Sequence, residues 1–306
     1  MSSRFSNLAQ IIQSHAMRDG ISETLMPGVD LIKHSSVNNM IKHNWQASYA
    51  IIIQGAKNIE LGNDTLIASQ GHCLVSALEL PVMSCIEMAS GDKPFLALRL
   101  SLDFVSIREI SSKLQMHRTH FTKSNLRSIF VHQASDSMLD AATRLVKLLN
   151  NPIEAQMLGP MLIKELVYHL LRSSDGELLY QFFKSGNKLQ KIMEVASYIK
   201  DNLTEKIDIQ MLSEKTNMSR SAFFACFKEV TSLTPIGYQK RFRLLEARRL
   251  LIEERYTSEQ AGWSVGYKSA AQFSREYMRM FGDSPARDAK KSKSHSMSYK
   301  IDNANK

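Results

Sequence analysis

SRSAFFACFKEVTSLTP at residues 219–235 and SAAQFSREYMRMFGDSP at residues 269–285 are the stretches on which the reading of the fold turns. Displaced by fifty positions they register: Ser219 falls on Ser269, Phe223 on Phe273, Phe227 on Tyr277, and Thr234-Pro235 on Ser284-Pro285. Such a repeat is one supersecondary unit used twice. In the first copy Phe223, Cys226, Phe227 and Val230 recur at i, i+3, i+4 and i+7, the spacing of a helix face turned to a core. Ser221, Phe224, Ala225 and Lys228 share the opposite face, the one a groove would meet. In the second copy Phe273, Tyr277 and Met280 take the core side, and Ala271, Ser274, Arg275 and Met278 the outer side.

Moving outward, each copy is preceded by a shorter helix and a turn. Asp208 opens IQMLSEKTN, and Ser219 is placed to cap the helix that follows. Thr257–Gln260 fits a capping box, Ser269–Gln272 fits another, and Gly266 supplies the turn between the two helices. Gly262 lies inside the earlier of them, at up to about 1 kcal/mol of helix propensity relative to Ala. Pro235 ends the first unit. From about 236 to 254 a long helix carries Lys240, Arg241, Arg243, Arg248 and Arg249, and reads as a strut between the copies. Residues 188–200 form one more helix, with Ile192, Val195, Ala196 and Ile199 on one face. The polar tail 292–306 is expected to be disordered.

A helix-turn-helix unit lays its second helix in the major groove and reads base edges with side chains near that helix's start. Two such helices on a strut reach successive grooves, about 34 Å apart, on one face of the duplex. Arg275 is the leading candidate for a bidentate guanine contact. Gln272, Ser274, Ser221 and Ala225 are further base-edge candidates, with Ala270 and Ala271 opening the second helix and Lys228 on the outer face of the first. Phe224 favours an apolar contact, such as a thymine methyl, over a hydrogen-bond code. Arg220 is placed for a phosphate.

Charge distribution points the same way. The net charge is +9, but residues 1–187 carry 17 basic and 16 acidic side chains, whereas residues 188–306 carry 22 and 14. The excess belongs to the C-terminal third and suggests a polyanion partner for that part. At 306 residues the chain suggests about two domains, and its 43% hydrophobic content is ordinary for a soluble protein. No apolar run spans a membrane, and MSSRFSNLAQ has no signal-peptide core, so a cytoplasmic location is expected.

The N-terminal half differs in texture. Residues 6–19 read as a short helix stopped by Gly20. From about 28 to 102, short runs such as SYAIIIQG, KNIELGND and HCLVSAL are cut by turn residues, which suggests an antiparallel barrel or sandwich. Residues 103–115, 136–149 and 155–172 carry helical stripes; 116–134 are weakly periodic and stay unassigned. His34, His43, Trp45 and Tyr49 lie in or beside the first strands. They are candidates to line an effector pocket, since a barrel can hold one small ligand, and such residues equally serve as core or surface. Cys73, Cys85 and Cys226 have no metal-like spacing; Cys73 and Cys85 read as buried thiols in strands, with redox sensing as the alternative. His117 and His120 are spaced i, i+3 with no further ligand nearby, and no catalytic constellation or phosphate-cradling glycine loop is visible.

With RLLEARRLL and VGYKSAAQFSREYMRMFGDSP in place, residues 188–291 resemble the AraC/XylS-type DNA-binding domain, two helix-turn-helix units joined by a long helix. PGVDLIKHSS, IIIQGAKNIELGN, LVSALELPV, ASGDKPFLALRLSLD and LIKELVYHLLRSSDGELL resemble the regulatory domain of one AraC-type branch. The resemblance implies an α+β protein: a cupin-like β-barrel (about 28–102) and helices (about 103–175) in a regulatory and dimerisation domain 1–180, a linker 181–187, and an all-α DNA-binding domain 188–291. It implies a sequence-specific transcription regulator, an activator responsive to a small-molecule effector. Double-stranded promoter DNA, RNA polymerase and a second copy of the chain are the implied partners. No cofactor, metal or enzymatic activity is expected, because metal-binding cupins carry a His-x-His with a following Glu that this chain lacks. Ser232 departs from the family in standing where Gly is usual, as do Phe224 and Cys226, where this branch often has polar or His residues. Two other readings stay open: a DNA-binding protein whose barrel only oligomerises it, and a cupin enzyme fused to a DNA anchor.

Overall fold

The computed structural model describes residues 2–114 and 126–291. His117, His120 and the tail 292–306 lie outside the described residues. By internal contacts the chain falls into two units, Met1–Glu194 with Ala225–Ser232, and Val195–Phe224 with Leu233–Lys306.

In the first unit, α1 (Ser2–His15) precedes β1 (Gly20–Glu23), β2 (Val29–His34), β3 (Ile41–Trp45), β4 (Ser48–Gln54), β5 (Ala56–Leu61), β6 (Asp64–Ser69), β7 (His72–Ser76), β8 (Leu80–Met88) and β9 (Phe95–Ser101). After α2 (Phe104–Lys113), β10 (Ile129–Gln133) adds a strand in the stretch that periodicity leaves unassigned. It is held by antiparallel pairing with β7, a non-local contact that a local pattern does not reveal. The α+β class holds, but the strands do not close into the expected barrel. They form a six-stranded sheet, β1-β2-β9-β4-β7-β10, and a four-stranded sheet, β3-β8-β5-β6, each with two free edges among the described strands.

The chain passes from one sheet to the other at Gly55, just after the register shifts between Ile52 and Gln54. Gly55 sits at φ +82°, a region that L side chains rarely adopt, and a Cβ there would lie 2.3 Å from the Met88 carbonyl oxygen and 3.1 Å from the Phe95 Cα. Only glycine fits this corner. Side chains alternate across the large sheet. Leu31, Tyr49, Ile51, Cys73 and Leu98 lie on the face that meets α3 (Asp136–Lys147), where Cys73 Sγ approaches Met138 Sδ at 3.9 Å. Asp30, Ile32, His34, Ala97 and Arg99 lie on the other face.

Local signals set the helix starts. Asp103 caps α2 by accepting from the Val105 and Ser106 N–H groups, and Asn151 caps α4 (Pro152–Leu171), whose first residue is the proline expected there. Residues 176–183, whose last three fall in the linker 181–187 expected from the sequence, form α5 (Gly176–Phe183) with Leu179, Tyr180, Phe182 and Phe183 buried. Residues 184–187 then lead to α6 (Lys188–Asp201), α7 (Ile209–Thr216), α8 (Arg220–Thr231), α9 (Pro235–Ile252), α10 (Ser258–Ser264) and α11 (Ala270–Phe281).

Gly55→Ala should destabilise the first unit by about 2 kcal/mol or more, because positive φ and a backbone clash act together. Urea unfolding followed by circular dichroism measures this; an unchanged midpoint would show that the corner relaxes.

Candidate functional site

The repeat in the sequence is a repeat in structure. α8 and α11 are each twelve residues long and start fifty residues apart. Each opens on a serine cap: the Ala222 N–H donates to Ser219 Oγ at 3.3 Å, and the Gln272 N–H donates to Ser269 Oγ at 3.3 Å. Each buries aromatics one turn apart, Phe223 and Phe227 in α8, Phe273 and Tyr277 in α11. The opposite row faces water. Ser221, Ala225 and Lys228 are exposed and Phe224 is half-buried; Ala270, Ala271, Gln272 and Arg275 are exposed and Ser274 is half-buried. Cys226 is half-buried, and burial pushes its thiol pKa up.

The copies differ in detail. Thr257 and Gln260 complete a capping box at the start of α10, whereas the box expected at Ser269–Gln272 is only half made. The Gln272 amide instead reaches Glu276 Oε1 at 3.3 Å, while Tyr267 donates to Glu276 Oε2 at 2.8 Å. Arg220 donates to the Gln210 side chain of α7. Arg275 has neither an ion pair nor a hydrogen bond among the described residues. The residue after α8, Ser232, has φ 56°, and its counterpart after α11, Gly282, has φ 77°. This left-handed position explains why glycine suits it; the serine in the first copy adopts it at a cost of about 1 kcal/mol. Gly262 also acquires a reason: a Cβ there would press on the Phe273 ring at 3.0 Å, so its absence lets α10 pack closely on α11.

The strut helix α9 ties three of its cations, Arg243, Arg248 and Arg249, to neighbouring groups of the chain. Arg243 donates to the Leu203 and Glu205 carbonyl oxygens after α6, and Gln239 donates to Glu205 O at 2.8 Å. Arg249 pairs with Glu246, Glu253 and Glu254. Arg248 binds Asp288 at 2.7 Å, Asp288 also accepts from the Tyr277 hydroxyl at 2.7 Å, and the guanidinium stacks 5.1 Å from the Phe281 ring centroid. These ties join α9 to the apolar cluster of Leu244, Ala247, Leu251, Val265, Phe273 and Tyr277. Cations left facing water include Lys228, Lys268, Arg275 and Arg279.

In the first unit the effector candidates separate. His43 and Trp45 lie on one face of β3, with rings stacked at 6.1 Å, and His43 Nε2 is 2.7 Å from Ser84 Oγ of β8. His34 lies on the β2 face that bears Asp30. Tyr49 is placed elsewhere: it is fully buried on the opposite face of the large sheet, its hydroxyl 3.4 Å from Cys73 Sγ. Strand β4 is buried on both faces, so no alternation in SYAIIIQ tells which way Tyr49 points. Cys73 is buried and its pKa is pushed up to about 12 by burial, which leaves it an unreactive thiol; Cys85 is also raised, mainly by burial. Sequence reasoning missed Lys57 and the Arg99–Asp30 pair. A signal was available in KNIEL, where Lys57 alternates in phase with Ile59 and Leu61. Among the described residues no three His, Cys, Asp or Glu are placed to hold a metal ion, and no helix is long and apolar enough to cross a membrane.

Comparison with known proteins agrees with this geometry. The family described as "AraC-type transcriptional regulator N-terminus" matches residues 25–178, half of the chain, and a "Helix-turn-helix domain" matches residues 212–291. The probable transcriptional regulator LumQ of Photobacterium leiognathi is 28% identical over 150 residues, 49% of this chain and 60% of LumQ. The HTH-type transcriptional activator RhaS of Pectobacterium carotovorum is 24% identical over 106 residues, 35% of this chain and 38% of RhaS. The chain thus spans less than two thirds of either relative. A structure of ToxT from Vibrio cholerae with an unsaturated fatty acid bound has the same fold, with a TM-score of 0.53 and 10% identity, over 85% of this chain and 92% of that one.

The histidines of the first unit predict acid lability. Burial, then Lys57, hold the His43 pKa down at about 4; burial first also lowers His34, and lowers His132 despite Asp175 at 3.5 Å. The native form therefore binds fewer protons than the unfolded chain, so stability is lost as pH falls below about 6.5, and for His43 the loss continues to about 4. His43 alone accounts for up to about 3 kcal/mol over that window. Urea midpoints at pH 7.5 and pH 5 should fall apart in wild type and draw closer in His43→Gln; equal midpoints in wild type would refute it.

Proposed function

The chain belongs to the AraC-type transcriptional regulators, and on that premise we propose that α8 and α11 read a DNA site while the two-sheet unit senses a small molecule. The observation that carries the reading is the matched pair of serine-capped helices, each with a buried aromatic row and an open outer row. Residues 188–291 form the DNA-binding domain in this reading, residues 1–180 the regulatory one, and 181–187 the link.

The copies divide the work unequally. Arg275, unpaired and exposed, makes the bidentate base contact, with Gln272 and Ser274 beside it and Ala270 and Ala271 allowing close approach. Gln272 has to leave Glu276, and Arg220 has to leave Gln210 to hold a phosphate. In the first copy Ser221, Phe224 and Ala225 rely on shape and apolar contact, and Lys228 on charge. Sensing has support from the fold: a ToxT structure holds an unsaturated fatty acid, and here His34, His43 and Trp45 are presented by strands. A homodimer draws support from α4, which leaves Ile153, Met157 and Met161 exposed. Activation through RNA polymerase, in the cytoplasm, completes the proposal; RhaS is a named activator. A DNA-binding protein whose sheets serve only association is the alternative.

Arg275→Ala should cost about 1–3 kcal/mol of specific affinity and relax preference at one base pair in a randomised-site selection. An unchanged preference would remove Arg275 from base reading. Deleting residues 188–306 should abolish specific binding; promoter binding retained by residues 1–187 would overturn the assignment.

A further inference from the structure

The first unit holds a cation with no counter-ion. Lys57 on β5 pairs in register with Ala68 of β6 and Ile86 of β8, both buried, so its side chain starts from the inner face of the small sheet. Its ammonium lies 4.7 Å from the centroid of the Trp45 ring, and Trp45 is itself buried. Among the described residues it makes no ion pair and no hydrogen bond.

The charged and titratable groups that act on it or on its neighbours come from both sheets. Arg99 of β9 is neutralised by Asp30 of β2, with Nη2 to Oδ2 at 2.6 Å. His34 and His43 are held neutral near pH 7, Lys57 itself contributing to that. Asp19 acts on His34 and bonds Ser35, and the Cys85 thiol is raised. Subtracting the Arg99–Asp30 pair leaves one positive charge. A cation–π contact is worth up to about 2 kcal/mol when desolvated, whereas the effective penalty for burying an ion is several kcal/mol. The balance shows in Lys57 itself, whose pKa is drawn down to about 8, chiefly by burial and then by Arg99. It is therefore mostly charged at neutral pH and short of a partner.

We propose that Lys57 receives the carboxylate of a small organic monoanion, whose hydrocarbon part lies against Trp45 and the apolar side chains Ile59 and Ile86. A single cation without an ion pair favours a single negative charge over a phosphate dianion. The apolar neighbours favour an organic anion over an inorganic one. This assignment rests on the reading that the two-sheet unit senses a small molecule, and it names the chemical class of the effector.

The test uses the full-length protein with benzoate and hexanoate, their neutral amides benzamide and hexanamide, and inorganic phosphate as probes, read by thermal shift and calorimetry. Binding to the native state raises the melting temperature. Either carboxylate should raise it and the matched amide and phosphate should not. Lys57→Met should weaken carboxylate binding about thirtyfold or more, and Lys57→Arg should retain part of it. Between pH 6 and 7.5 the affinity should stay level, then fall towards tenfold per pH unit above about 8 as Lys57 loses its proton. Without ligand, Lys57→Met should melt no lower than wild type, since it removes a half-buried charge that has no counter-ion. Equal carboxylate shifts in wild type and Lys57→Met, or a response to phosphate alone, overturn the Lys57 assignment. Neutral probes that stabilise both proteins keep the sensing reading and overturn the anion class. No shift with any probe overturns the anion site; a wider metabolite screen that also gives none removes the sensing reading as well.

Discussion

Each of the two repeated helices, α8 and α11, is fixed in rotation by two buried aromatics one turn apart, and its outward residues owe their direction to them. Phe223 and Phe227 hold α8; Phe273 and Tyr277 hold α11. A slip of one residue turns a helix by about 100° and would bring these rings towards water, at roughly 1.5–3 kcal/mol for each ring fully exposed. In α11 the anchoring goes further, because the Tyr277 hydroxyl reaches Asp288, which in turn holds Arg248 of α9. Phe227 has no hydroxyl to do the same; α8 is tied instead by Arg220, which donates to Gln210 of α7, and by Ser128, whose N–H and hydroxyl both donate to the Val230 carbonyl oxygen. The second copy also bears the more polar outer row.

Charge is treated in opposite ways on the exposed helix rows and between the strands. On the outer rows of α8 and α11, Lys228, Arg275 and Arg279 stand in water, where an unpaired cation costs little. Between strands the same charge is expensive, and the first unit spends a buried aspartate on Arg99 while leaving Lys57 with only an aromatic ring. In α9 most of the cations serve the scaffold, so a count of Lys and Arg overstates what is free for a polyanion. Arg243 and Arg249 illustrate this: one binds carbonyl oxygens in the loop after α6, the other sits within three carboxylates.

What could be read from the sequence was what is encoded locally. The Phe223 and Phe273 faces follow a helical period, and Ser219, Thr257 and Ser269 announce their helices within four residues, so α8, α10 and α11 were legible. β1 and β10 were not, because short strands exist only through partners far away in the chain. The choice between a closed barrel and open-edged sheets was hidden for the same reason: closure depends on which edges meet, and Gly55 marks a turn without telling where it leads. Tyr49 illustrates a deeper ambiguity, since a strand buried on both faces carries no mark of direction. Lys57 was legible in the alternation of KNIEL, whereas its want of a counter-ion required the positions of Asp30 and Arg99.

The Arg248–Asp288–Tyr277 triangle bears on how such a chain can change over generations. Replacing Asp288 leaves Arg248 without its counter-ion and the Tyr277 hydroxyl without its acceptor, and replacing Arg248 leaves the Asp288 charge unmet, so these positions are expected to drift as a set or not at all. The outer row of α11 has fewer ties of that kind: Ala271, Arg275 and Met278 are exposed and can be exchanged singly. Orientation is inherited as a block while the outer row is free to vary, so, if α11 reads DNA as proposed, a descendant can acquire a new target without having to refold the helix that meets it.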